Sequence, residues 1–117
     1  MTAPVKLQRP GRLPAEMNSY ERAFAEYLDA EGIFWRFQCI TFRLAKATTY
    51  TPDFYTIGDD GSVTIYEVKG FWREKNRIKL KCAADAFPEY RFIACTKVAK
   101  KLGGGWQFED FRSRWRA

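Results

Sequence analysis

Two short segments hold the residues whose types and spacing can do chemistry: Thr51-Pro52-Asp53-Phe54 and Tyr66-Glu67-Val68-Lys69-Gly70. Each reads as part of a strand, and a turn, Gly58-Asp59-Asp60-Gly61-Ser62, lies between them. Half-buried strands rarely carry charge without a partner or a task. Two carboxylates converging with a lysine can hold a divalent cation and leave a positive donor beside a reacting group.

Whether these groups converge depends on the turn. A two-residue Asp60-Gly61 loop pairs Asp59 with Ser62 and sets Asp53 against Val68, which sends Glu67 to the other face of the sheet. A three-residue loop, Asp59-Asp60-Gly61, pairs Gly58 with Ser62 and sets Asp53 opposite Glu67. It wants a left-handed residue at its third position, where Gly61 stands. Gly61 suits both turns, and only the second assembles a site. Lys69, two residues beyond Glu67, then shares its face.

The rest of the composition narrows the chemistry. The chain has no histidine, which excludes Ser-His-Asp and Cys-His catalysis and any histidine base. Cys39, Cys82 and Cys95 are dispersed, a poor set for structural zinc and, read plainly, reduced thiols of an intracellular protein. A metal would need oxygen ligands, which suits Mg²⁺ or Mn²⁺. At 117 residues and 46% hydrophobic, one domain with its own core is expected. The net charge of +6 favours a polyanionic partner. No apolar run is long enough for a membrane span, and no signal-peptide core is visible at the N-terminus.

Elements must position these residues. Residues 1–15 read as a basic flexible arm, broken by Pro4, Pro10, Gly11 and Pro14 and carrying Lys6, Arg9 and Arg12. A helix is predicted from Asn18 to Glu31, with Tyr20, Phe24, Tyr27 and Leu28 on one face and Gly32 ending it. Glu21 borders that face, and Asn18-x-x-Glu21 fits a capping box, the reading that spacing favours. Alternation over Phe34 to Leu44 predicts one strand, with Phe34, Arg36, Gln38, Ile40, Phe42 and Leu44 on one side. Strands are expected at Asp53–Ile57 and Val63–Lys69, then a basic helix from Glu74 to Phe87. That helix offers a stripe of Leu80, Ala83, Ala84 and Phe87, helped by Ile78. Lys75, Arg77, Lys79 and Lys81 crowd its other faces; like charges four apart are unfavourable there unless phosphates or water absorb them. A strand at Tyr90–Cys95 would close a right-handed parallel crossover. Beyond Gly103-Gly104-Gly105, Trp106–Phe108 reads as a short strand and Glu109–Arg116 as a last helix carrying Arg112, Arg114 and Arg116.

Pro52-Asp53 followed by Glu67-Val68-Lys69-Gly70 resembles the signature of the PD-(D/E)XK nuclease superfamily, and the order of elements over residues 18–96 resembles it too. The resemblance implies an α/β fold, a restriction-endonuclease-like mixed central sheet flanked by helices, in a single domain over residues 16–117. It implies Mg²⁺-dependent hydrolysis of DNA phosphodiesters, with Mn²⁺ able to substitute. Asp53, Glu67 and the Val68 carbonyl would hold the metal, and Lys69 would serve the attacking water or the developing charge. Superfamily members commonly add an acidic residue from the first helix; Glu21 matches that place, as a ligand and catalytic residue, and reverses the preference for a cap. Arg73, Lys75, Arg77, Lys79 and Lys81 would contact DNA phosphates. In size and order the chain resembles small phage endonucleases of the Holliday-junction endonuclease I type. That implies branched DNA as substrate, a homodimer, no membrane partner and a place in the cytoplasm. The alternative is a basic DNA-binding protein on the same fold that does not cut.

Overall fold

The computed structural model describes residues 5–7 and 16–111. A short first strand, β1 (Val5–Leu7), precedes helix α1 (Ser19–Ala30), and strands β2 (Phe34–Phe37), β3 (Ile40–Ala45) and β4 (Thr48–Tyr50) follow. The hairpin of β5 (Phe54–Ile57) and β6 (Val63–Lys69) leads into helix α2 (Glu74–Ala86), and β7 (Arg91–Lys97) and β8 (Trp106–Phe111) complete the order. Five strands form a mixed sheet in the order β2-β5-β6-β7-β8; only β6 and β7 run parallel, joined by α2. A smaller antiparallel sheet runs β1-β3-β4. This is an α/β domain. No helix among the described residues is long and apolar enough to cross a membrane.

The five-stranded sheet is covered on both faces, and its side chains divide accordingly. On one face α1 contributes Phe24, Ala25 and Leu28, packed with Phe37, Phe54, Val68, Ile93 and Cys95. On the other, α2 contributes Leu80, Ala83 and Ala84, followed by Phe87, against Ile65, Phe92, Ala94 and residues of the smaller sheet. Phe92 and Ala94 therefore face α2 while Ile93 and Cys95 face α1, the period-two division of a strand buried on both sides. That is why residues 92–95 read as an unbroken apolar run.

Phe24 anchors α1. It is fully buried, and its ring lies 5.0 Å from Trp106, 5.1 Å from Tyr66 and 5.4 Å from both Tyr27 and Phe54, centroid to centroid. The helix starts at Asn18, whose side chain accepts from the Glu21 N–H, and it stops before Gly32, which sits at φ +71°.

Four sequence expectations are corrected. The single strand predicted over residues 34–44 is two, β2 and β3, in different sheets. Gln38, at φ +48°, turns the chain between them, and the buried parity flips: Phe37 is buried in β2, then Ile40 and Phe42 in β3. Ile78, expected in the α2 stripe, is 53% exposed. Residues 109–111, assigned to a last helix, extend β8 instead, because the β7 edge offers a ladder to Phe111 and because Glu109 and Asp110 meet arginines. The remainder of that expected helix lies outside the described residues. Within the stretch read as an arm, Val5–Leu7 pairs with β3; the other residues of 1–15 lie outside the description.

Phe24→Ala removes the ring on which α1 is seated. The expected loss is about 3–5 kcal/mol of unfolding free energy, as for other buried aromatic truncations, measured by urea denaturation.

Candidate active site

The β5–β6 register decides the geometry. Ile57 pairs with Val63 and Phe54 with Tyr66. The Gly58 N–H donates to the Ser62 carbonyl at 2.8 Å, and Gly61 holds φ +84°. This is the three-residue loop, further fastened by the Asp60 carboxylate, which accepts from the Ser62 N–H and hydroxyl. One step beyond Phe54 and Tyr66, the same register sets Asp53 opposite Glu67.

Asp53 is held from three directions. Its carbonyl accepts from the Gln38 N–H at 2.8 Å. Its own N–H donates to Glu67 Oε1 at 3.1 Å, and its Oδ2 accepts from the Val68 N–H at 2.9 Å. Tyr50 donates its hydroxyl to the same Glu67 Oε1, at 3.1 Å. Glu67 Oε2 stands 3.5 Å from Lys69 Nζ, whose side chain keeps 34% of its surface exposed. The carboxylates are therefore buried while the ammonium reaches the surface. Sequence reasoning missed Tyr50; its signal was a lone aromatic among Thr48, Thr49 and Thr51, just ahead of Pro52-Asp53.

Burial makes these groups costly as anions. Desolvation raises the Asp53 pKa, and the charges of Glu67 and Glu21 raise it further, against the opposing Val68 hydrogen bond. Glu67 is also raised by burial, though Lys69, the Asp53 N–H and Tyr50 pull the other way. Burial, Glu67 and Asp53 together raise the Tyr50 pKa well above the usual phenol range, so Tyr50 stays a hydrogen-bond donor.

Glu21 is the cap that spacing favoured, and it stands near Asp53 as well. Its Oε1 accepts from the Asn18 N–H at 2.8 Å, completing the capping box. Its carboxyl also neighbours Asp53 closely enough to favour the protonated form there. Tyr20, the preceding residue, places its ring on Gly70: a Cβ at Gly70 would lie 2.5 Å from Tyr20 Cζ. This contact ties the first turn of α1 to the end of β6, one residue past Lys69. Gly70→Ala must push the half-exposed ring aside, at a cost of about 1 kcal/mol, the low end for overpacking. Adding Tyr20→Ala should remove that penalty in a double-mutant cycle of unfolding free energies.

The donor set suits a hard cation. Among the described residues no three His, Cys, Asp or Glu side chains form a metal-holding group by themselves. Mg²⁺ asks for less, since it is commonly held by one or two carboxylates with water and substrate phosphate supplying the rest. Asp53 and Glu67 provide that pair, all oxygen, and the Val68 carbonyl and Glu21 are adjacent in the fold. A dication would also offset the burial that raises both pKa values and the Glu67 charge that raises the Asp53 pKa further.

The basic residues of α2 divide. Arg77 forms a two-pronged ion pair with Glu109 of β8, at 2.5 and 2.7 Å, and stacks over Phe111. Lys75 and Lys79 have no ion-pair partner among the described residues. Lys79 lines a recess of about 250 Å³ with Tyr50, Glu67 and Asn76. Arg73 and Lys81 are exposed. No protein family, curated protein or solved structure matches this chain.

The raised carboxylates set a pH dependence. A carboxyl whose native pKa exceeds its unfolded value contributes stability below the unfolded pKa and loses it as pH rises through the native one. The metal-free protein should therefore lose stability from the ordinary carboxylate range upward through neutrality. Asp53→Asn keeps an acceptor for the Val68 N–H and removes the charge. It should raise the Tm in EDTA at pH 8 by several degrees, change it little at pH 4, and abolish stabilisation by Mg²⁺ or Mn²⁺.

Proposed function

We propose that this chain is a divalent-metal-dependent nuclease that hydrolyses DNA phosphodiester bonds on a restriction-endonuclease-like fold. The observation that carries the reading is the pair of buried, mutually facing carboxylates, Asp53 and Glu67, with Lys69 3.5 Å from the second. Buried like charges destabilise a small domain. A fold that keeps them, and fastens them with three backbone hydrogen bonds to Asp53 and a tyrosine to Glu67, is arranged for a cation and an anionic substrate.

Asp53, Glu67 and the Val68 carbonyl would hold Mg²⁺, with Glu21 joining from α1. When bound, the cation supplies Lewis-acid stabilisation of phosphoryl charge and lowers the pKa of water. The chain's own groups do the positioning. Tyr50 and the Asp53 N–H occupy Glu67 Oε1 and leave Oε2 on the Lys69 side. Lys69, anchored there and open to solvent, orients the nucleophile and balances charge developing on the phosphate. Lys79 lines the recess of this centre and Lys75 the groove beside it, and both suit a phosphate backbone together with the exposed Arg73 and Lys81, whereas Arg77 is held by Glu109. Branched DNA as substrate and a homodimer belong to the same proposal through the sequence resemblance.

Lys69→Ala tests it. A group that serves the transition state contributes mainly after substrate is bound, so cleavage should fall by about 10²–10⁴-fold while DNA affinity stays close to wild type. Asp53→Ala and Glu67→Ala should abolish cleavage through lost metal, with metal-free DNA affinity held or raised. Absence of cleavage by the wild type in Mg²⁺ and Mn²⁺, across junction, flap, nicked and linear DNA, would leave the non-cutting DNA-binding reading. Unchanged cleavage by Lys69→Ala would move the reacting centre elsewhere. Replacing Lys75 and Lys79 by Ala together should weaken binding to all sequences alike and lower the salt slope by roughly 2.

A further inference from the structure

A second cavity adjoins the first. Between α2 and the β3–β4 hairpin lies a groove of about 480 Å³ whose lining includes Leu44, Ile78 and Cys82, with Lys75, Asn76 and Lys79. Asn76 and Lys79 also line the recess that contains Glu67, so the two spaces share a wall. The apolar groove thus runs into the side of the proposed reaction centre, past an amide and under two lysines.

We infer that this groove is a subsite for an unpaired nucleotide of the strand carrying the scissile phosphate. The volume is that of a small-ligand cleft. Leu44 and Ile78 offer apolar surface, and Ile78 presents it openly at 53% exposure. The Asn76 amide carries both donors and an acceptor for a base edge. Lys75 and Lys79 lie one helical turn apart, a spacing at which like charges repel unless an anion joins them. A strand with its bases free matches this set: apolar base face, polar base edge, regularly spaced phosphates. An intact duplex keeps its base faces stacked inside and would lay only phosphate and groove edges over the apolar floor. The inference rests on the nuclease reading only for placing the reacting phosphate beside Glu67, and it deepens that reading by naming the substrate class: DNA or RNA with a single-stranded segment at the cut site.

Cys82 is a native reporter, because it lines the groove and is exposed while Cys39 and Cys95 are buried. The full chain in EDTA, where no metal-dependent cutting proceeds, is treated with N-ethylmaleimide and the Cys82 adduct is followed by mass spectrometry. The runs compare saturating splayed-arm DNA, the same duplex with an RNA tail, blunt duplex and poly-glutamate. Splayed arms should slow alkylation several-fold, the RNA-tailed duplex should show whether the sugar matters, and blunt duplex and poly-glutamate should leave the rate near that of free protein. Ile78→Glu, at an exposed position that the fold tolerates, should abolish the protection by repelling phosphate. Equal reactivity with every probe, equal protection by blunt duplex or by poly-glutamate, or absence of binding overturns the inference. The readout needs no cleavage: Cys82 protection in a protein that cuts nothing in Mg²⁺ keeps the groove and removes the nuclease reading. Cleavage with Cys82 equally reactive throughout does the reverse.

Discussion

Two carboxylates face one another across neighbouring strands with little of their surface open to water, and the rest of the structure is arranged around that constraint. Asp53 and Glu67 are each about as buried as the aromatic residues that flank them. In a low-dielectric setting neither desolvation nor mutual repulsion is screened. The chain answers with backbone N–H groups from Asp53 and Val68, a phenol from Tyr50 and one ammonium from Lys69. These soften the cost of burial without cancelling it, since both pKa values remain raised, that of Asp53 by the Glu67 charge as well. A site left in that condition has a built-in preference for positive charge. The acidic first turn of α1 adds to that preference, because Glu21 is fixed by its cap beside Asp53.

Much of this was legible in the sequence because the relevant signals are local. Gly61 marks the turn, but the sequence alone left two registers open, because glycine serves both; the Ile57–Val63 pairing and the Gly58–Ser62 hydrogen bond decide between them. The α2 stripe and the end of α1 at Gly32 follow from spacing. What was not legible arises where tertiary partners override local pattern. Phe34 to Leu44 carries apolar residues at Phe34, Ile40, Phe42 and Leu44 on one parity, yet a left-handed Gln38 passes the chain from one sheet to the other, and no Gly or Pro announces it. Glu109 and Asp110 were placed in a last helix; they are strand residues of β8, paired with β7 and met by Arg77 and Arg91 from α2 and β7. Glu21 was posed as cap or ligand. It is the cap, and the same carboxylate lies near Asp53.

The helix α2 shows how a run of like charges resolves once neighbours are known. Sequence placed Lys75, Arg77, Lys79 and Lys81 together as phosphate contacts. In the fold, Arg77 turns toward β8 and is neutralised by Glu109, while Lys75 and Lys79 turn toward β3–β4 and the Glu67 recess. Ile78 stands exposed between them, an apolar residue in a basic setting. The helix therefore fastens the sheet edge with one flank and frames a groove with the other.

That division also shapes the field far from the surface. The net charge of +6 is not offset everywhere alike: Glu109 and Asp110 of β8 are paired with Arg77 and Arg91, while Lys75 and Lys79 of α2 and Arg43 and Lys46 of the β3–β4 hairpin are exposed. A polyanion is then drawn toward those exposed charges before contact, over distances of about a Debye length, roughly 10 Å at 0.1 M salt. The Arg77–Glu109 pair thereby acts as ballast: its two charges silence each other and leave the pull to the rest.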